Sequence, residues 1–556
     1  MLEKELEAVP RQRKKLTTSM SLSKIEASIM HKRQSWNFEQ PPIPKDSNRN
    51  IFEHFFIVGI PPDAENPEEM VPRIIFLFPA APLLMRSNEF DQVVNFSFPN
   101  GFRRLPELKP HDPIILEEFS FRLSGNDQAL YGCCVHLRIP PGKQLFFSSE
   151  KSSSYPFCFC IISKIPILSS HFQFLTYLVR AICGIEKPIE RSHNELSYTP
   201  ISEGETLPDL TVLTGVGRWR KMLFPRPFRI ELVYYRSMSQ RPGQDQDFKL
   251  SVDSRLLIPM ICSDFKALGY SSLDTLFSIF EIEEIIEIYT AILLDHHTLV
   301  ISDSPHKLSL SVLALRSLMN PFVIGGSYMP LVPNLPEYLQ MLESPVPFIC
   351  GCLKSSLLKT ISLNEPICIV DIDEKTIVDK SLNVSLPNSG IIIKSINDFL
   401  KEQSDIITVP PKFIRKGLFS SISLNPQYKP FIDRIHGYMK PKAFLEQIEQ
   451  KYVFTPEIVD HIQQIFYDNF KTPLESSIRP CFVTDSTDVD KPVTVFNHEI
   501  FMMSIDRKDE PFYSQFSHSS IFQLFCDGKT DETDLDKKSY VNSLSDHCAE
   551  NSFLVG

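Results

Sequence analysis

TAILLDHHTLVIS (Thr290–Ser302), the run SPHKLSLSVLALRSLM that follows it to Met319, and NPFVIGGSYMPLVPNLPEYLQMLESPVPFICG (Asn320–Gly351) form the stretch that decides the fold. An apolar helical run from Thr290 to His297 passes directly into a β-branched run, Thr298–Ser302, and a second helix is expected from Pro305 to Met319. Ser304 can cap that helix's orphan amides, and Pro305 occupies the first helical position, where its missing N–H costs nothing. The stop is placed at Asn320-Pro321, because a residue before proline is pushed out of the helical region. An extended SYMPLVP follows, then a second helix start at Asn334 to Pro336, then the apolar strand PVPFICG. Helix and strand alternate here as a mixed α/β layer requires.

Working outward, the next apolar strand is ICIVDID (Ile367–Asp373). Upstream, FEHFFIVGI (Phe52–Ile60), RIIFLFP (Arg73–Pro79) and NFSFPNGF (Asn95–Phe102) read as β runs, with a tight turn at Asn100-Gly101. FSFRLS and ALYGCCVHLRI flank Gly125–Gln128 as the arms of a hairpin. FCFCIISKIPIL (Phe157–Leu168) leads into a helix from about Ser169 to Cys183, with Gly184 as its stop. A long helix is expected over Leu273–Leu294, with Glu281, Glu283, Glu284 and Glu287 as its solvent stripe. Downstream, apolar residues three and four apart from Pro411 to Phe470 and from Glu499 to Phe525 predict core-facing helices.

The combination of ILLDHHTLVIS, Asn320-Pro321-Phe322, Tyr328–Pro333, Tyr338-Leu339 and Pro345–Gly351, followed by ICIVDID, resembles the central part of the DENN domain, a module of many Rab guanine-nucleotide exchange factors. The Phe-Ser-Phe-Pro-x-Gly and Leu-Tyr-Gly-Cys pieces are similar to its upstream region. The resemblance spans roughly residues 50 to 527, and departs at Asp295-His296-His297 and at Val323–Ser327. It implies a two-lobed α/β module: a longin-like sheet with flanking helices, then an α/β lobe with a helical extension. The expected organisation is a disordered basic tail (1–48), an upstream lobe (49–184), a linker (185–225), a central α/β domain (226–382), a downstream helical region (383–527) and a polar tail (528–556). Ser239–Asp247 and Asn383–Lys394 read as polar connections.

Composition bounds the function. The formal charge is −11, while residues 1–35 carry eight Lys/Arg against four Asp/Glu, so the remainder is near −15 and nucleic acid is not the expected partner. The cluster Arg11-Gln12-Arg13-Lys14-Lys15 suits a solvated tail or peripheral contact with an anionic membrane surface. No apolar run approaches the ~20 residues a membrane helix needs, and the expected location is cytoplasmic, with recruitment to vesicle membranes. The 12 cysteines lack zinc-knuckle spacing, and the close sets Cys133-Cys134, Cys158-x-Cys160 and Cys350-x-Cys352 fall in apolar strands, as buried reduced thiols.

Two motifs could carry chemistry. Asp295-His296-His297 with Asp371-x-Asp373 imitates the ligands of a metal-dependent phosphoesterase, but the order is inverted, and Lys375 spoils a phosphatase reading of the second motif. His54, His136 and His171 interrupt apolar runs without ligand spacing, which suits hydrogen-bonded core imidazoles. Neither a G-x-x-x-x-G-K-[ST] nor a G-x-G-x-x-G motif is present. No cofactor, metal or catalytic residue is therefore expected. The resemblance implies an exchange factor for a Rab-family GTPase that works by binding, without covalent chemistry, or alternatively a scaffold of the same shape that binds a GTPase or trafficking complex without exchange. Phe322, Tyr328 and Pro330, beside the irregular Val323–Ser327, are the candidate partner contacts.

Overall fold

The edge strands of two five-stranded sheets face each other across one long buried helix, and that juxtaposition organises the rest of the protein. A computed structural model describes residues 51–61, 64, 71–78, 87–106, 115–124, 129–138, 154–182, 246–249, 255–258, 264–404, 452–485 and 493–528. All lie within one unit, Lys45–Gly556. The expectations for residues 1–48, for the 185–225 linker, for Gly184, for residues 411–451 and for the tail beyond Gly528 fall outside the described residues.

The upstream sheet contains β1 (His54–Gly59), β2 (Arg73–Phe78), β3 (Ile115–Ser124), β4 (Ala129–Arg138) and β5 (Phe157–Ser163) in the order β2-β1-β5-β4-β3, all antiparallel. Ser124 pairs with Ala129, the register that the expected hairpin demands. Helices α1 (Ser87–Ser97) and α2 (Leu168–Ile182) accompany it. Asn95–Phe102 departs from expectation: Asn95–Ser97 finish α1, and only the turn survives, with Gly101 at φ 74° donating its N–H to Phe98 O at 2.8 Å. The aromatic spacing suited either period, and the helical face won because Phe96 is buried.

A short antiparallel hairpin, β6 (Gln246–Lys249) with β7 (Arg255–Ile258), follows, so Gln246 and Asp247 start a strand where a loop was expected. The expected helix Leu273–Leu294 is two helices, α3 (Asp264–Ile279) and α4 (Ile282–Leu293). Glu281 separates them in an extended conformation and forms a capping box with Glu284, whose carboxylate accepts from Glu281 N at 2.8 Å. Apolar residues continue on both sides of Glu281, and that continuity conceals the break from a sequence reading.

The second sheet contains β8 (His297–Ser302), β9 (Ser327–Val332), β10 (Phe348–Leu353), β11 (Ile367–Asp371) and β12 (Thr376–Asp379) in the order β12-β11-β8-β10-β9. β11, β8, β10 and β9 are parallel, and β12 closes one edge antiparallel. Helix α5 (Pro305–Leu318) makes the crossover from β8 to β9, with Ser304 accepting from Lys307 N at 3.3 Å and Pro305 in its first turn, as the sequence reading requires. Its Leu308, Leu310, Val312, Leu313, Leu315 and Leu318 are all buried, each contributing about 1.5–3 kcal/mol of apolar transfer. Only glycine fits at position 326, just before β9, because Pro347 O lies 1.6 Å from where a Cβ would be. Asn334 does not cap the next helix: α6 (Pro336–Leu339) starts after Leu335, and Asn334 instead donates its N–H to Pro99 O at 2.7 Å.

Downstream lie α7 (Ser389–Glu402), α8 (Pro456–Phe466), a π-helical turn Tyr467–Lys471, α9 (Thr472–Ile478), α10 (His498–Ser504), α11 (Glu510–Phe516) and helical residues 520–528. The helical expectation holds with two corrections. Ser389–Lys394 already belong to α7, and a hairpin of β13 (Phe482–Asp485) and β14 (Val493–Phe496) interrupts the helices. One contiguous buried core runs through both sheets and these helices.

Candidate functional site

β3 and β9 each form one edge of their sheet, and an edge leaves a row of backbone N–H and C=O groups to satisfy. For β3, side chains of α5 do this in place of another strand. Ser309 Oγ accepts from Ser120 N at 3.1 Å, and His306 Nδ1 meets Glu118 O at 2.9 Å. Glu118 and Ser120 are two apart on the strand, and His306 and Ser309 three apart on the helix, so both pairs face the seam. Further along, Arg122 Nη1 donates to Tyr328 O at 3.2 Å, and Asn95 Nδ2 donates to the Tyr338 hydroxyl at 3.3 Å. Phe96 packs edge-on against Tyr338 with ring centres 5.4 Å apart.

A charged group occupies one end of this seam. Arg122 lies opposite Tyr131 in the β3–β4 register, and its guanidinium sits 5.3 Å from the centre of the Tyr328 ring. Arg316, near the end of α5, donates to Phe322 O at 3.2 Å and stacks 4.4 Å over Phe265. Burial pushes the Tyr131 hydroxyl up to about 12 and the Tyr328 hydroxyl well above its ordinary value. Burial, then the like charge of Arg122, pulls Arg316 below the ordinary guanidinium value, although nearby tyrosines and Asp264 oppose this. Burial raises the Asp264 carboxyl to about 6 against the opposing pull of Arg316 and Arg122. These residues escaped the sequence reading. The available signal was an arginine breaking an apolar strand, FSFRLS, and another in the otherwise aliphatic and hydroxyl-bearing helix LSLSVLALRSL.

The two acidic motifs have structural duties. Asp295 is in the left-handed conformation at φ 60° and accepts from Ser520 N and from Ser520 Oγ, the latter at 3.0 Å, so it caps the helical residues 520–528. Burial raises its carboxyl above the usual range, with the Ser520 bonds opposing. His296 Nδ1 pairs with Asp379 Oδ2 at 2.5 Å, and His297 Nδ1 reaches Pro366 O at 3.1 Å. At the other end of the sheet, Lys354 Nζ bridges Asp371 at 2.8 Å and Asp373 at 3.2 Å. Burial would raise Asp373, but the Asp303 amide, Ser302 and Lys354 hold it below the usual carboxylate range. His297 pairs with Ile367 whereas Asp371 pairs with Ile301, so the motifs are four residues apart along parallel strands, about 13 Å at ~3.3 Å per residue. A two-metal site cannot span that separation. No group of three or more metal-ligating side chains is assembled among the described residues.

His54 and His171 are buried, and burial lowers His171 to about 3; His136 Nε2 lies 2.5 Å from Ser97 O. The cysteines 133, 134, 158, 160, 350 and 352 are buried free thiols. Of the candidate partner contacts, Phe322 is 1% exposed among Phe470, Phe516 and Phe525, Tyr328 is 6% exposed, and Pro330 is buried. The exposed positions beside them are Gly325 and Ser327. All three are thus buried, but in different surroundings: Phe322 packs on the downstream helices, whereas Tyr328 lies against Arg122.

Comparison with known proteins gives a consistent result. Residues 154–375 match the DENN (AEX-3) domain. The chain is 26% identical over 379 residues to mouse DENN domain-containing protein 2A, covering 64% of this chain and 32% of that protein. It is 23% identical over 423 residues to human DENN domain-containing protein 2B, covering 72% of this chain and 31% of that protein. The chain spans about a third of the length of the curated relatives it matches.

Proposed function

For a chain that carries a DENN domain and is homologous to DENN domain-containing proteins 2A and 2B, we propose guanine-nucleotide exchange on a Rab-family small GTPase that docks across the seam between the two sheets. The observation that carries this reading is the seam: the β3 edge is held to one buried helix by Ser120–Ser309 and Glu118–His306 and to β9 by Arg122–Tyr328, which gives a platform with contributions from both halves. Rigidity matters because an exchange factor acts by binding the nucleotide-free form better than the loaded form, and that difference is lost if the platform deforms instead. Release on the order of a thousandfold faster needs only ~4 kcal/mol off the barrier, within reach of an interface of ordinary size, and no general base is required.

At the seam the partner meets Gly325 and Ser327 first, with Phe322, Tyr328 and Pro330 supporting them from below. The setting is cytoplasmic, with recruitment to vesicle membranes. Two features support it: no helix among the described residues is long and apolar enough to cross a membrane, and the basic cluster Arg11–Lys15 suits peripheral contact with an anionic surface. Release of a fluorescent GDP analogue from a panel of Rab GTPases tests the reading. Acceleration with one or a few members is expected. Binding that is equal for GDP- and GTP-loaded partner, with no acceleration, assigns the scaffold role instead.

A further inference from the structure

Arg122 and Arg316 are half-buried, yet among the described residues neither guanidinium has a carboxylate within 4 Å. That is unusual chemistry for a protein interior, where buried charge is ordinarily paired. Arg122 instead spends donors on Tyr328 O and on the Tyr131 hydroxyl, Arg316 spends one on Phe322 O, and each lies against an aromatic ring. These contacts fix the orientation of both planar groups and leave most of their five N–H donors unspent. Beside them the Tyr328 hydroxyl is buried without a hydrogen-bond partner. The Asp264 carboxylate acts on both guanidiniums, so the cluster keeps an excess of one positive charge.

We propose that Arg122, Arg316 and the Tyr328 hydroxyl form a binding site for an oxyanion of the phosphate class at the end of the seam. Two guanidinium forks match the oxygens of a phosphoryl group, and a phenolic O–H supplies a further donor. Asp264 opposes the anion and keeps the affinity modest. The site draws on side chains from both sheets and from α5, so an occupied site ties the two halves together. This inference stands whether or not the protein exchanges nucleotide.

Thermal unfolding of the full chain in inorganic phosphate tests it, compared with sodium chloride at equal ionic strength. At roughly ten times the dissociation constant, mass action raises Tm by about 1–2 °C. Tyr328→Phe removes only the unpartnered hydroxyl, and Arg122→Lys keeps the charge but loses the fork; each is expected to weaken phosphate about 3- to 10-fold while remaining folded by circular dichroism. Phenyl phosphate is the second probe. A shift that it reproduces assigns the site to the phosphoryl group of a larger ligand, and a shift confined to inorganic phosphate assigns it to the free ion. An equal Tm in phosphate and chloride overturns the proposal, as does a phosphate shift unchanged in both variants.

Discussion

Replacing Phe322 by Ala removes a ring that is 1% exposed and packs against Phe470, Phe516 and Phe525 with centroid distances of 5.7, 6.1 and 5.1 Å. Phe→Ala in such a setting costs about 3–5 kcal/mol, from lost burial plus the cavity left behind. The upper half of that range is expected, because three aromatic partners also lose their edge contacts, at roughly 0.5–1.5 kcal/mol per pair. These partners belong to the π-helical turn, to α11 and to helical residues 520–528, so the loss falls where the downstream helices dock on the second sheet. Equilibrium urea unfolding followed by far-UV circular dichroism reads the total, and hydrogen exchange over residues 510–528 reads the location. Ser327→Ala, at an exposed position of the same stretch, is the control and stays within about 0.5 kcal/mol. If Phe322→Ala unfolds at the wild-type denaturant midpoint while losing partner binding, Phe322 is a surface contact and the packing argument is refuted.

Asp295→Ala removes the acceptor of Ser520 N and Oγ at the start of residues 520–528, leaving only the local Ser519 cap, and places Ala at φ 60°; the expected cost is about 2–3 kcal/mol, with faster amide exchange at the start of that helix, while Asp295→Asn, which tolerates the conformation, costs less. Gly326→Ala drives a Cβ into Pro347 O and lowers Tm, whereas Gly390→Ala, in α7 with nothing within 4 Å, raises stability by about 0.5–1 kcal/mol; equal effects from the two would contradict the close approach. Asp264 is held at about 6, above its unfolded value, so its ionised form opposes folding: the penalty is absent below about pH 4 and complete above about pH 7. Asp264→Asn is therefore expected to leave stability unchanged at pH 4 and to raise it at pH 7.5 by no more than about 2–3 kcal/mol, and destabilisation at pH 7.5 would show that its attraction to the arginines dominates.

Local physics alone decided much of this protein. Ser304-Pro305 announces the start of α5, four β-branched or aliphatic residues after His297 announce β8, and the Gly125–Gln128 gap between two apolar runs announces the β3–β4 hairpin, because capping, branching and turn chemistry act between near neighbours. Where two local readings tied, tertiary packing chose: Asn95–Ser97 became helix so that Phe96 could meet Tyr338, and the Leu273–Leu294 run broke at Glu281. The seam was out of reach of any sequence pattern. Ser120 and Ser309 are 189 positions apart, Arg122 and Tyr328 are 206 apart, and Asp295 caps a helix 225 positions downstream. The same separation in space dismantled the Asp-His-His and Asp-x-Asp pairing, whose residue types were right for a metal but whose strands carry them to opposite ends of one sheet. Residue type is written locally, whereas a site is a set of distances, and only the packing of β3 and β9 against α5 fixes those.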